Sequence, residues 1–172
     1  MAIENELKYI LRPEAFKAAM EKGEVRKIEQ HYLGDGLRMR RDTANGETSI
    51  TFTFKRRVAS GLVEIETHIS DTDYALLFPT VTHGISKQRI SFTSGDEHWD
   101  VDLFETSAGS FVMAEVEMPD GQLAPKWIPE FVSENLILPV GTDLEWSNAA
   151  MAQPGALEKA ALRINHLIEL LA

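Results

Sequence analysis

Apolar and polar residues alternate with a period of two through most of the first 118 positions, the pattern of strands that bury one face. The polar members are mostly charges, and they come as like pairs two residues apart: Arg38 and Arg40, Lys55 and Arg57, Glu64 and Glu66, Lys87 and Arg89, Asp100 and Asp102, Glu115 and Glu117. A mixed set, Glu4, Glu6 and Lys8, opens the series. Apolar residues such as Met39, Phe54, Ile65, Ile90, Val101 and Val116 lie between and beside them, so each strand has one charged and one apolar face. The pattern predicts eight strands, at 3–11, 24–33, 36–42, 47–57, 61–69, 84–94, 97–105 and 110–118. Asn45-Gly46 is a hairpin turn signal between the third and fourth.

Helical signals are fewer, and four helices are predicted. Pro13 suits the first turn of a short helix ending near Met20. Ser70 caps a second, with Asp71 and Asp73 in its first turn and Pro79 stopping it. A short segment lies around Trp127 to Phe131, followed by a looser stretch to Asn148. From Pro154 or Gly155 to Leu170, Leu157, Ala161, Ile164 and Ile168 recur at helical spacing, as in a packing helix. The expected division is therefore a β part over about 3–118 and a helical part over about 125–172, within one domain spanning 1–172.

Solvent faces of antiparallel sheets usually mix Lys, Glu, Thr, Ser and Gln. Here three strands carry basic pairs and four carry acidic ones, which is sorted charge. The arrangement that uses such sorting is a closed eight-stranded antiparallel barrel of the α+β, mainly β class, with a polar lumen and peripheral helices on its apolar exterior. Like charges crowded in a lumen need a ligand that neutralises both signs. A triphosphate does this for Arg and Lys, and its accompanying divalent cation does it for Glu and Asp.

Composition narrows the partners further. With no cysteine and five scattered histidines, any metal would be held by carboxylates, which favours Mg²⁺ or Mn²⁺. A net charge of −10 opposes binding to nucleic acid or anionic membranes, while leaving room for a small anion in a basic pocket. No apolar run is long enough to span a bilayer and no signal-peptide pattern opens the chain, so a cytoplasmic location is expected. A monomer or homodimer is equally compatible.

The ordered motifs resemble those of the CYTH superfamily of triphosphate tunnel metalloenzymes, which includes inorganic triphosphatases, thiamine triphosphatases and class IV adenylate cyclases. The E-x-E-x-K hallmark is Glu4, Glu6 and Lys8. The Q-x-Y-L and R-x-R strands are Gln30, Tyr32 and Leu33, then Arg38 and Arg40, and T-x-K is Thr53 and Lys55. E-x-E, K-x-R and W-x-x-D-x-F follow as Glu64 and Glu66, Lys87 and Arg89, and Trp99, Asp102 and Phe104. Ala114 to Glu117 forms the last strand motif, and Ser147-Asn148 a late S-N.

The resemblance implies a metal-dependent hydrolase of an inorganic or organic triphosphate, or a polyphosphate. Glu4, Glu6, Glu115 and Glu117 would hold the metal. Lys8, Arg38, Arg40, Lys55, Arg57, Lys87 and Arg89 would bind phosphate. Glu4, Glu6 and Lys8 would form the catalytic motif, and Glu64, Glu66, Asp100 and Asp102 would be supporting acids. Cyclisation of ATP and a non-catalytic polyphosphate- or nucleotide-binding module are the alternatives.

Overall fold

The computed structural model describes residues 5–34, 36–59 and 61–171, with the side chains of 57, 58, 61 and 62 outside that description. Glu4 and the Arg57 side chain therefore lie outside the described residues. The chain runs β1 (Glu6–Leu11), α1 (Glu14–Ala19), β2 (Val25–Gly34), β3 (Leu37–Ala44), β4 (Glu47–Val58), β5 (Gly61–His68), α2 (Asp71–Leu77), β6 (His83–Ser94), β7 (Glu97–Thr106) and β8 (Gly109–Glu117). It continues through α3 (Glu130–Glu134), β9 (Leu136–Gly141), α4 (Asn148–Met151) and α5 (Ala156–Leu170), with single 3-10 turns at Phe78–Thr80 and Leu144–Trp146. Among the described residues, no helix is long and apolar enough to cross a membrane.

All the strands join one antiparallel sheet in the order β5-β4-β3-β2-β6-β7-β8-β1-β9. Two expectations need correction. Among the described residues the sheet has nine strands where eight are predicted, and it does not close: β5 and β9 are its ends. Strand β9 went unpredicted because Pro139 interrupts its Ile-Leu-Pro-Val run, and proline lacks the N–H that an interior strand must donate. As an end strand β9 tolerates this, pairing with β1 alone in an irregular register. A strand has two hydrogen-bonding edges, and those of β1 are taken by β8 and β9, which leaves none for closure onto β5.

The helix count also differs. Among the described residues five α-helices form where four are predicted, because the loose stretch before residue 148 contains β9 and leads into α4. The cap of α2 is as the sequence indicates: Ser70 and Asp73 form a reciprocal capping box.

Register places the pairs. Reading cross-strand partners outward from β1, Lys8 faces Glu115, Glu115 faces Asp100, and Asp102 faces Arg89. Arg89 faces Arg26, Gln30 faces Arg40, and on β4 and β5 Thr53 and Lys55 face Glu66 and Glu64. Directly opposed residues of antiparallel strands share a face, so the charged pairs occupy one side of the sheet. We call it the inner face because charges on strands up to three apart interact across it. Arg40 on β3 feels the charges of Arg89 and Asp102, and Tyr32 on β2 that of Glu115.

Two apolar clusters lie on opposite sides. On the outer face Leu11, Ile90, Trp99, Val101, Ala114 and Val116 pack against Phe16 of α1 and Phe131 of α3. On the inner face Ile10, Ile85, Phe104, Phe111 and Met113 pack against Trp146, Met151 and the Ala161 and Ile164 stripe of α5. The inner face is thus not polar throughout, as a continuous lumen would be. One end is an apolar floor plugged by the C-terminal helices, and the charges cover the rest.

Gly36 fixes the β3 to β4 alignment that brings Arg38 beside Thr53. Its φ is +81°, and a Cβ would stand 2.0 Å from the Lys55 carbonyl oxygen. Gly36→Ala should therefore cost about 1–3 kcal/mol from backbone strain alone, more with the clash, and a urea melt would show it.

Candidate functional site

The centre of the inner face is a buried ion cluster on β6, β7 and β8. Asp102, fully buried, accepts from Arg89 Nε and Nη2 at 2.6 Å each and from Lys87 Nζ at 2.6 Å. The Arg89 fork also reaches Asp100 and lies 3.7 Å from Glu115. Ser91 donates to Asp100 at 2.6 Å. Lys87 spends a second proton on the Asn148 side-chain oxygen at 2.9 Å, tying α4 to the cluster.

Burial opposes each of these charges, and the neighbours decide the outcome. For Asp102, burial would raise the pKa, but Arg89 and then Lys87 outweigh it and hold the carboxyl at about 2. Burial likewise disfavours charged Arg89, and Asp102, Asp100 and Glu115 outweigh it, so its pKa is raised. Lys87 fares worse. Burial and repulsion by Arg89 exceed its share of Asp102, and its pKa falls to about 8. Glu115 is pushed up by burial, with Asp102 adding to the rise, although Lys87, Arg89 and Lys8 pull the other way.

On one side of this cluster stands the carboxylate edge. Lys8 is ion-paired with Glu6 and lies 3.9 Å from Glu115, while Glu6 is directly opposite Glu117. On the other side stands the basic edge, built by β3, β4 and β5. Arg38 donates to Thr53 at 3.2 Å, Thr53 donates to Glu66 at 2.9 Å, and Arg38 is 3.7 Å from Glu66. Lys55 pairs with Glu64 at 3.7 Å, farther along the same strands.

Arg40 differs from every other cation here. Half-buried among Arg38, Arg89 and the β-sheet backbone, it has no carboxylate within ion-pair distance among the described residues, and burial followed by Arg38 and Arg89 lowers its pKa. It lines a cavity of about 420 Å³ together with Arg26, Asp42, Ser49, Thr51 and Glu66. A cavity of about 430 Å³ on the outer face, beside Lys27, Gln88 and Leu103, lacks such a group.

The structure thus gathers Glu6, Lys8, Glu115, Asp100, Asp102, Lys87 and Arg89 into one connected network, with Glu117 at its exposed rim. It sets Arg38, Arg40 and Glu66 across from them, and Lys55 and Glu64 apart. Sequence reasoning missed Arg26, whose guanidinium is held by Asp42 with an Nε to Oδ1 bond of 3.0 Å. The charge-pair rule passed over it because the next residues on its face are Ile28 and Gln30. It also missed Thr51, an uncharged member of the same face.

No family model matches the chain, and no curated protein matches it. Solved structures do. The hypothetical protein NE1496 shares the fold at a TM-score of 0.56 and 24% identity, over 87% of this chain and 97% of that one. That likeness establishes the fold: a mainly β protein built on one antiparallel sheet. A candidate adenylate cyclase from Bacillus halodurans matches with a TM-score of 0.49 and 15% identity, over 69% of this chain and 81% of its own. A candidate adenylyl cyclase from Hippeastrum, described as having a dominant triphosphatase activity, matches at 0.43 and 14%, over 69% and 80%.

Proposed function

We propose that the inner face binds a triphosphate together with a divalent cation, and that the chain hydrolyses it as a member of the CYTH group its motifs resemble. The observation that carries this reading is Arg40: a half-buried guanidinium beside two others, lining a cavity, with no carboxylate partner among the described residues. Such a group is destabilising unless an anion meets it. Guanidinium forks match phosphoryl oxygens in shape as well as charge.

The opposite edge supplies oxygen ligands of the kind Mg²⁺ and Mn²⁺ take. Glu6 and Glu117 are cross-strand neighbours and Glu115 adjoins both strands' charges, though among the described residues no three acids are drawn into one cluster. Glu6, Glu115 and Glu117, with Glu4 two residues before Glu6 in the sequence, would hold the ion. When bound, it neutralises phosphate charge and lowers the pKa of water.

The residues divide the remaining work. Arg38 and Arg40 draw the phosphoryl oxygens. Asp102 fixes the Arg89 fork, so that this cation is oriented before substrate arrives and costs no reorganisation. Lys8, held between Glu6 and Glu115, links the acidic edge to the centre. Phosphoryl transfer asks for this positioning and neutralisation rather than for a covalent partner.

A product assay tests the reading. Tripolyphosphate with Mg²⁺ or Mn²⁺ should release orthophosphate, and excess chelator should abolish it. Glu117→Gln should weaken metal affinity, raising the Mg²⁺ or Mn²⁺ concentration needed for turnover by about tenfold or more, with partial recovery at high Mn²⁺. Cyclic AMP and pyrophosphate from ATP would move the assignment to the cyclase; full turnover in chelator would sink the metal-dependent reading.

A further inference from the structure

Across three adjacent strands of the inner face runs a row of hydrogen-bonding groups that nothing uses. Gln30 of β2 faces Arg40 of β3, and Arg40 faces Thr51 of β4. Gln30 has no exposed surface, and neither its amide nitrogen nor its amide oxygen has a partner. Arg40 Nε and Thr51 Oγ1 are likewise buried and unpartnered. Buried polar atoms in folded proteins are nearly always paired, and a glutamine kept for packing would be replaced at no loss by an apolar side chain of its size. Here three such groups are consecutive members of one row: Arg40 and Thr51 line the 420 Å³ cavity, and Gln30 lies beneath the surface next to Arg40.

We propose that Gln30 and Thr51 contact the substrate and, with Arg40, bind the terminal phosphoryl group of a linear phosphate chain; this rests on the reading of the inner face as a triphosphate site. The donor inventory decides the chemistry. The Gln30 NH₂, Arg40 Nε–H and Thr51 hydroxyl all donate to phosphoryl oxygens. The Gln30 carbonyl accepts, and an ionised phosphoryl oxygen has nothing to offer it. A terminal phosphoryl group keeps a second ionisable oxygen, as a phosphate monoester does with a pKa of about 6, and so can present a P–OH; an internal one, bonded to two bridging oxygens, cannot at neutral pH. The row therefore recognises a chain end. Reaching it requires a rotamer change in a neighbour, and Arg40, flexible and cavity-lining, is the side chain that swings as its guanidinium follows the phosphate.

Calorimetric titration in chelator, where the proposed metal dependence halts turnover, separates the possibilities with two probes: linear tripolyphosphate, and cyclic trimetaphosphate, which has no terminal group. Gln30→Met removes the amide at similar length. It should raise the melting temperature without ligand, weaken tripolyphosphate about tenfold or more, and leave trimetaphosphate within about twofold. Thr51→Val should weaken tripolyphosphate by a smaller factor, and it carries the test if the methionine variant does not fold. Arg40→Ala is the control for the underlying reading and should weaken both anions. If Arg40→Ala loses binding while Gln30→Met and Thr51→Val bind tripolyphosphate like the wild type, this inference is wrong and the anion site stands. Equal loss of both probes in Gln30→Met overturns the recognition of a chain end. Unchanged binding in Arg40→Ala removes the triphosphate reading itself.

Discussion

Asp102→Asn is expected to destabilise the protein by about 3–5 kcal/mol, the cost of leaving buried charge without its partner. For a chain of this length that is a fall in melting temperature of roughly 10 °C. The reason is its place in the cluster: one fully buried carboxylate serves both Arg89 and Lys87, and asparagine would leave two buried cations sharing a neutral amide. The pH dependence follows with a definite sign. Asp102 has a folded pKa of about 2 against an ordinary 3.8, so its contribution is present above about 3.8 and is lost as pH falls toward 2. Lys87 acts in the opposite direction. Its folded pKa of about 8 lies below the ordinary 10.5, so its buried charge costs stability below pH 8, and that cost is relieved as pH rises toward 10.5. Urea melts across pH should show the acid limb attributed to Asp102 in the wild type and lose it in Asp102→Asn. A variant as stable as the wild type at pH 7 would contradict the buried-cluster account.

Arg40→Ala should move stability and binding in opposite directions. The substitution removes a charge that burial and two neighbouring guanidinia disfavour, so the free protein should melt at the same temperature or higher. Its affinity for tripolyphosphate should fall by about tenfold to a hundredfold, matching a charge-assisted hydrogen bond of about 1.5–3 kcal/mol. Arg89 supplies the contrast. It is neutralised by Asp102 and Asp100, so Arg89→Ala should lower stability as well as binding. Melting curves with and without tripolyphosphate measure both quantities. A drop in the ligand-free melting temperature of Arg40→Ala would show that the guanidinium is held by the fold and is not waiting for an anion.

Period-two alternation is set locally, because successive side chains on any extended backbone point to opposite sides. That is why Arg38 with Arg40, Lys87 with Arg89 and Glu115 with Glu117 could be assigned to common faces from the chain alone, and why the eight strand segments, the Ser70 cap and the α5 stripe lie close to where they are read. The apolar floor was in principle legible too: Ile10 follows Lys8, Phe104 follows Asp102 and Ile85 precedes Lys87, each at the same spacing of two. Its helical cover was not, since a stripe on α5 shows that a helix packs without showing against which face.

What only the tertiary structure decided is long-range. The use of β1's second edge by a proline-containing β9, and with it the open sheet, depends on residues more than a hundred positions apart. So does the division of the cations, which are identical in sequence terms. Lys87 and Arg89 are satisfied by Asp102 while Arg40 is left with orphan groups on Gln30 and Thr51 beside it. Residue type and spacing determined which charges share a face; which of them are neutralised, and which stay unpaired among the described residues, is determined by cross-strand register.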